Sequence, residues 1–263
     1  MPAVERFRTR CGFSLSVAAD PKTAAHEASG LVLEELRHRQ SRPLGLATGR
    51  TMEPLYSALV SRIGDLPPLE RQGLLDRWQS FNLDEYVRLG ATHPGSFAAA
   101  MHRHLAHPLG LDLARLHLPN GLAPDPVLEA RRYAAALAAA GGTGLQVLGL
   151  GLNGHVGFNE PPCDADAITR VVRLCATTRQ QNAAPFGGNA AAVPAEAITL
   201  GMAEILAAER ILLVVTGAPK ARVLARLLQE PPQAELPASW LQSHPAVTLV
   251  VDRAAMGSGV SVS

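Results

Sequence analysis

The sequence predicts an α/β fold: a mainly parallel central sheet with helices on both faces. Two patterns and one bulk property lead there. Five short apolar segments recur along the 263 residues, and each empties into a polar or glycine-containing loop. Several of those loops open into stretches of helical periodicity, the alternation that builds a parallel sheet. Apolar residues make up 47% of the chain and charged residues 18%, which suits a globular protein with a substantial core.

The elements follow in order. Residues 24–39 space Ala25, Ala28, Val32 and Leu36 along one helical face, and the whole segment 1–42 reads as that one helix. Residues 43–48 form the first strand, through Leu44 and Leu46, and break at Gly49-Arg50-Thr51. A helix follows, with Met52, Leu55, Tyr56, Leu59 and Ile63 on one side. Residues 78–83 form the second strand, ending at Asp84-Glu85. Residues 145–152 form the third, ending in a loop where Asn153, His155, Asn159 and Glu160 stand among glycines. Residues 211–215 form the fourth, ending at Thr216-Gly217-Ala218-Pro219-Lys220 before a helix over 221–229. Residues 247–251 form the fifth, ending at Asp252. No repeat or linker marks a boundary, so 1–263 is read as a single domain. Residues 180–193 are rich in Ala, Asn and Gly with little to bury. They mark a lid candidate over about 163–193. Residues 231–239 hold three prolines and read as an irregular connection.

Several function classes are excluded. A formal charge of +1 argues against a non-specific nucleic-acid binder. No apolar run of about 18 residues occurs, so no membrane partner is expected. The opening MPAVERFRTR lacks the apolar core of a secretory signal, and a cytoplasmic location is expected. Cys11, Cys163 and Cys175 have no metal-type spacing and read as free thiols. His102, His104 and His107 do not all share a helical face, so no metal site is expected there. Gly149, Gly151 and Gly154 spell G-x-G-x-x-G, but Pro161 and Pro162 forbid the helix that a dinucleotide fingerprint opens.

In a parallel sheet, ligands bind beyond the carboxyl ends of the strands. The polar strand ends therefore define one expected site. Thr48, Gly49, Arg50 and Thr51 precede a helix, where free N–H groups and the helix dipole attract an anion; a plain N-cap by Thr51 is the alternative. Asp84 and Glu85 are either a surface acidic pair or contain a partly buried general base. His155, flanked by glycines with Asn153 and Glu160 close by to orient its ring, is an acid/base candidate. Lys220 sits at a helix start, where its charge opposes the dipole unless an anion binds.

These groups, in this order, resemble the glucosamine-6-phosphate deaminase family, within the wider glucosamine/galactosamine-6-phosphate isomerase and 6-phosphogluconolactonase group. The matching segments are LGLATGRT, FNLDEYVRL, HPGSFAAAMHRH, LGLGLNGHVGFNEP, TTRQQNA, AITLGMAEILAAERILLVVTGAPKA and LPASWLQSHP, spanning about 44–245. FNLDEY and GHVGFNEP are the specific ones, and Phe158-Asn159-Glu160-Pro161 favours the deaminase branch. The resemblance implies a modified Rossmann-like sheet and a cytosolic enzyme of amino-sugar catabolism. Its partner would be a small sugar phosphate, it would need neither cofactor nor metal, and an assembly of identical copies is compatible. Asp84 would move a proton between C2 and C1. His155 would help open the pyranose ring, with Asn153 and Glu160 orienting and tuning it. Lys220 and the Thr48–Gly49–Arg50–Thr51 loop would hold the phosphate.

Three departures stand out. Asn153 occupies a position where some relatives carry Asp. Ala184 stands where many carry an arginine used for phosphate. Arg50 replaces a small residue of the Thr-Gly-x-Thr loop and is expected to compensate. Of the allosteric segment known in some members, Arg170 is kept but its basic neighbour is Val172, which implies weak or no activation by N-acetylglucosamine 6-phosphate. The competing readings are a galactosamine-6-phosphate isomerase/deaminase, a 6-phosphogluconolactonase-like hydrolase and a non-catalytic sugar-phosphate sensor. The last normally carries a helix-turn-helix, which segment 1–42 does not show.

Overall fold

In the computed structural model, which describes residues 4–38 and 42–257, the five expected strands lie side by side in one sheet. The described strands are β1 (Glu5–Arg8), β2 (Ser14–Ala18), β3 (Leu44–Leu46), β4 (Ser80–Asn82), β5 (Asp84–Tyr86), β6 (Leu116–His117), β7 (Leu145–Gly149), β8 (Arg170–Arg173), β9 (Glu196–Thr199), β10 (Arg210–Val215) and β11 (Val247–Asp252). The described helices are α1 (Pro21–His38), α2 (Met52–Gly64), α3 (Pro68–Asp76), α4 (Phe97–Met101), α5 (His107–Leu109), α6 (Pro126–Ala139), α7 (Ala176–Gln181), α8 (Met202–Leu206), α9 (Ala221–Gln229) and α10 (Arg253–Met256). The large sheet has the order β1-β2-β11-β10-β7-β3-β4-β6. Only β1 runs antiparallel to its neighbour.

The sheet's middle explains the sequence pattern. Ile211, Leu212, Leu213, Val214 and Val215 of β10 are all buried, because a strand covered on both faces reads as a continuous apolar run. Near the end of the sheet the faces diverge. Phe81 meets Tyr133 of α6 at 5.6 Å, whereas Ser80 accepts the Trp78 Nε1–H at 3.1 Å. Between β3 and β7 the backbones pass close to the buried Gln146 side chain, and a Cβ at Gly45 would collide with its amide.

Topology places the site. From β3 the chain moves outward through α2 to β4 and on to β6. It then returns to β7 on the other side of β3 and continues to β10 and β11. The order therefore reverses between β3 and β7, and a crevice opens beyond their carboxyl ends.

Three expectations need correction. Segment 1–42 does not form one helix: β1 and β2 precede α1, and β2 extends the parallel sheet beside β11. Small residues in SLSVA hide that strand. Helix α1 starts earlier than the apolar spacing indicates, because Asp20 Oδ1 accepts the Thr23 N–H at 2.7 Å and Pro21 suits the first turn. Its expected last residue, Arg39, lies outside the described residues. Finally, Asp84 and Glu85 are not a loop. After Asn82 the chain leaves the large sheet, and β5 joins a second, antiparallel sheet of order β5-β9-β8. The lid candidate is built from β8, α7 and two short 3₁₀ turns.

Candidate active site

One cavity of about 280 Å³ fills the crevice. Thr48, Gly49, Arg50, Thr51, Asp84, His155 and Lys220 all line it. Asn153 and Glu160 do not; they stand behind His155.

The β3–α2 loop forms an anion recess. Gly49 turns the chain at φ +112°, a conformation that suits glycine. Its carbonyl accepts the N–H groups of Met52 at 2.8 Å and Glu53 at 3.3 Å. Among the described residues, no acceptor meets the N–H groups of Gly49, Arg50 or Thr51. Thr51 makes no side-chain cap, which removes the alternative reading of this loop as a plain N-cap. The N-terminal pole of the 13-residue α2 therefore faces the cavity uncapped. Lys220 Nζ reaches across and donates to the Leu150 carbonyl at 2.5 Å. Burial, with the Arg50 charge nearby, pulls its ammonium down to about 8. Among the described residues, no carboxylate forms an ion pair with Arg50 or Lys220. Two unpaired cations beside free N–H groups make a place for a dianion.

The two adjacent carboxylates have opposite fates. Glu85 turns inward and accepts the N–H groups of Tyr86 at 2.9 Å, Phe97 at 3.0 Å and Ala98 at 2.8 Å, so it anchors the start of α4. Asp84 has no hydrogen-bond donor among the described residues. Its Oδ2 would lie 3.5 Å from a Cβ at Gly157. Burial, reinforced by the Glu85 charge, holds its carboxyl well above the usual carboxylate range. Alternation along β5 separates the pair, sending one carboxylate to the backbone and the other to the cavity.

The glycines of the β7 loop serve a histidine. Gly151 N–H donates to the His155 carbonyl at 2.9 Å, and Gly154 N–H to that of Gly151 at 3.1 Å. A Cβ at Gly151 would collide with the His155 ring, and one at Gly154 would collide with Leu236 Cδ1. The loop is closed by side-chain approach, and no helix follows it. His155 Nδ1 lies 2.6 Å from Asn153 Oδ1. An amide oxygen can only accept, so Nδ1 carries the proton and Nε2 keeps its lone pair, an assignment resting on this bond. Burial first, then Lys220, hold the imidazole down to about 4 against the pull of Glu160. Glu160 acts on the ring through its charge. Its oxygens accept from Cys175, the backbone N–H at 3.0 Å and the thiol at 3.2 Å. Asn159 braces the loop from within, donating to the Val156 and Leu200 carbonyls and accepting from Arg170 at 2.9 Å.

Sequence reasoning missed the aromatic wall. Tyr86, Phe97 and Phe186 line the cavity with Phe158. Phe186 belongs to the lid candidate and packs edge-on against Tyr86 at 5.9 Å. It lies so close to Gly95 that a Cβ there would come within 2.6 Å of its ring. Gln181, Asn182, Ala184 and Pro185 complete that wall, and Arg103 reaches the cavity from the segment after α4. The clue available was Phe97 and Phe186, two aromatics in a chain only 4% aromatic. Among the described residues, no group of three or more His, Cys, Asp or Glu side chains is arranged to hold a metal ion, and no helix is long and apolar enough to cross a membrane.

A switch-point crevice lined by free N–H groups, unpaired cations, a buried carboxylate and an imidazole suits a class: α/β proteins that handle small phosphorylated molecules. The chain belongs to the glucosamine-6-phosphate isomerase/6-phosphogluconolactonase family, whose family model matches residues 19–250. It is 41% identical over 243 residues to a glucosamine-6-phosphate deaminase of Rhodopirellula baltica, covering 92% of this chain and 94% of that one. It is 38% identical over 240 residues to one from a Geobacillus species, covering 91% and 93%. A solved monomeric glucosamine-6-phosphate deaminase superposes with a TM-score of 0.86 at 33% identity, covering 92% of this chain and 98% of the other. The 6-phosphogluconolactonase of Trypanosoma brucei shares the fold, with a TM-score of 0.72 at 19% identity over 95% of this chain and 98% of that one.

Proposed function

We propose that the protein is a glucosamine-6-phosphate deaminase of the cytoplasm, converting glucosamine 6-phosphate and water into fructose 6-phosphate and ammonia. The observation that carries this reading is the pairing, in one cavity, of Asp84, which accepts no hydrogen bond among the described residues, with a neutral His155 whose Nε2 is available.

The phosphate sits on the α2 N-terminus between Arg50 and Lys220. His155 Nε2 takes the proton of the anomeric hydroxyl and returns it to the ring oxygen, and the pyranose opens to an aldehyde. The C2 hydrogen is then acidic beside the carbonyl. Asp84 removes it and delivers it to C1 while one proton passes from the ammonium to the C1 oxygen, leaving a C2 iminium beside a C1 hydroxyl that water hydrolyses to the ketose and ammonia. A buried Asp84 favours its protonated form, which is no base. The substrate's ammonium at C2 supplies the missing cation and ionises it on binding. Asn153 fixes the tautomer of His155, and the Glu160 charge keeps the ring from becoming too weak a base. A positioned base contributes ~10²–10⁴ in rate, with orientation and electrostatics supplying the rest.

Ammonia release measured with glucosamine 6-phosphate and its C4 epimer, alongside hydrolysis of 6-phosphogluconolactone, tests the assignment. Turnover of the first alone, or by a wide margin, is expected. Preference for the epimer or the lactone would reassign the substrate, and tight binding of sugar phosphates without turnover would make the protein a sensor.

A further inference from the structure

The cavity carries a third cation that the chemistry above does not use. Arg103 lines it together with Arg50 and Lys220. Its side chain is exposed, so it stands at the rim, open to whatever enters from solvent. The segment that bears it is anchored on both sides. Glu85 accepts the Phe97 and Ala98 N–H groups, and Ser96 caps α4 by accepting from Ala99 at 3.0 Å. Met101 and Leu105 are buried in the core. Between them the helix widens into a π turn over His102–Ala106, a departure that proteins often keep where a side chain is placed for function. Arg103 Nε–H meets His104 Nε2 at 3.4 Å. Among the described residues its terminal nitrogens have no partner, and no carboxylate forms an ion pair with it. Two carboxylates also line the cavity, Glu53 and Asp84. Burial favours the neutral form of Asp84, which leaves Glu53 facing three cations. A crevice with such a positive excess and apolar walls focuses its field on an incoming anion.

We propose that Arg103 is a capture residue whose charge draws the phosphate dianion of the sugar into the crevice, where Arg50, Lys220 and the α2 N-terminus hold it. This rests on the sugar-phosphate reading of the cavity. The role needs a positive charge at the rim and no particular hydrogen bond, because an exposed guanidinium acts on a dianion across intervening water. Salt therefore screens it, whereas contacts made inside the crevice are screened much less.

Arg103→Gln removes the charge, Arg103→Lys keeps it and Arg103→Glu reverses it. Calorimetry on wild type and the three variants uses fructose 6-phosphate and inorganic phosphate as probes, at a pH where both are dianions. Ionic strengths of about 0.01 M and about 1 M let charges act over about 30 Å and about 3 Å. At low salt both probes are expected to bind Arg103→Gln about fivefold more weakly, the effect of one charge on a dianion about 8–10 Å away in a water-like dielectric. Reversing the charge should cost about twenty-fivefold, and Arg103→Lys should stay within about twofold of wild type. At high salt the four proteins should converge. Weakening of fructose 6-phosphate alone would put Arg103 on the sugar and overturn the proposal. So would a loss that lysine does not rescue, a loss that persists at high salt, or no loss at low salt. Melting temperatures without ligand should agree, because the side chain is exposed and unpaired among the described residues. Wild type that binds fructose 6-phosphate yet releases no ammonia from glucosamine 6-phosphate would refute the deaminase reading alone, leaving the Arg103 comparison readable.

Discussion

Replacing Asn153 by aspartate puts a full charge where His155 now meets only a dipole. In the wild type the ring nitrogen and amide oxygen are 2.6 Å apart, and the imidazole titrates at about 4. The groups facing it are Glu160, which raises that value, and Lys220, which lowers it. A carboxylate in place of the amide favours imidazolium. An opposite charge this near moves a pKa by about 1–3 units, so His155 in N153D should titrate at about 5–7. Each unit corresponds to about 1.4 kcal/mol between the two protonation states. The base must be neutral to take the anomeric proton, so kcat/KM falls on the acid side of this value. At pH 8 the variant should stay within about fivefold of wild type. At pH 5 it should lose up to about a hundredfold, if the shift reaches the top of that range. Ammonia release across pH 4.5–9 at constant ionic strength reads the limb, and an NMR titration of the ring proton assigns it. An acid limb that stays where wild type has it would refute the argument that Asn153 sets the basicity of His155.

The remaining predictions concern the two ends of the cavity. Asp84→Asn should lower kcat by ~10²–10⁴ with a smaller change in KM. It should also raise the melting temperature at pH 7.5. A carboxyl raised by burial contributes stability below its unfolded value, about 4, and loses it as pH climbs, a loss the amide avoids. Equal melting temperatures at pH 7.5 would contradict the buried, unpaired state of Asp84. Lys220 must be protonated to hold a dianion, so kcat/KM should decline above about pH 8. Lys220→Arg should remove that basic limb, and a limb unmoved in the variant would belong to another group. Arg50→Ala should raise KM about tenfold or more with kcat nearly constant, as expected for a charge-assisted contact made equally in ground and transition states. An unchanged KM would end the idea that Arg50 covers for Ala184. Gly151→Ala drives a methyl into the His155 ring and should cost kcat ~10² by pushing the ring off Asn153. Unchanged kcat would show that the loop has slack.

What can be read from the sequence follows from where each interaction lies along the chain. The five central strands are legible because burial on both faces demands unbroken apolar runs, as in Ile211 to Val215. Their polar ends are legible as one site because parallel strands share an edge, and Thr48, Asp84, His155 and Lys220 do meet there. Strand β2 is not, since Ser14 and Ser16 dilute its apolar signal. The small sheet is not, because β5 follows β4 after one residue and its partner β9 lies more than a hundred positions on. The separate fates of Asp84 and Glu85 depend on that same sheet. Glu160 illustrates another limit: the sequence sets it beside His155, but its hydrogen bonds go to Cys175, fifteen residues away. Local spacing gives neighbours, and tertiary contacts decide which neighbour a carboxylate serves.

Several unsatisfied or unpaired groups lie at or beside the cavity, although others, such as His117 Nε2, Thr143 Oγ1 and Thr169 Oγ1, do not line it. Asn82 is wholly buried, two positions before Asp84, and its side-chain amide atoms have no partner among the described residues. Among the described residues, Asp84 has no donor, Lys220 has no counter-ion and Gln181 Nε2 has no acceptor, and α2 lacks the side-chain cap that Thr51 could supply. Asp84, Lys220 and the α2 N-terminus line the cavity, and each offers a charge or hydrogen bond that a phosphorylated amino sugar would complete. Other ends are satisfied: Asp125 caps α6, Asp252 caps α10, and Glu85 satisfies three N–H groups. The open end of α2 differs from those of other helices without a side-chain cap in facing the cavity beside two unpaired cations. Binding of the amino sugar should therefore stabilise the protein through these groups, and by mass action the gain grows with ligand concentration.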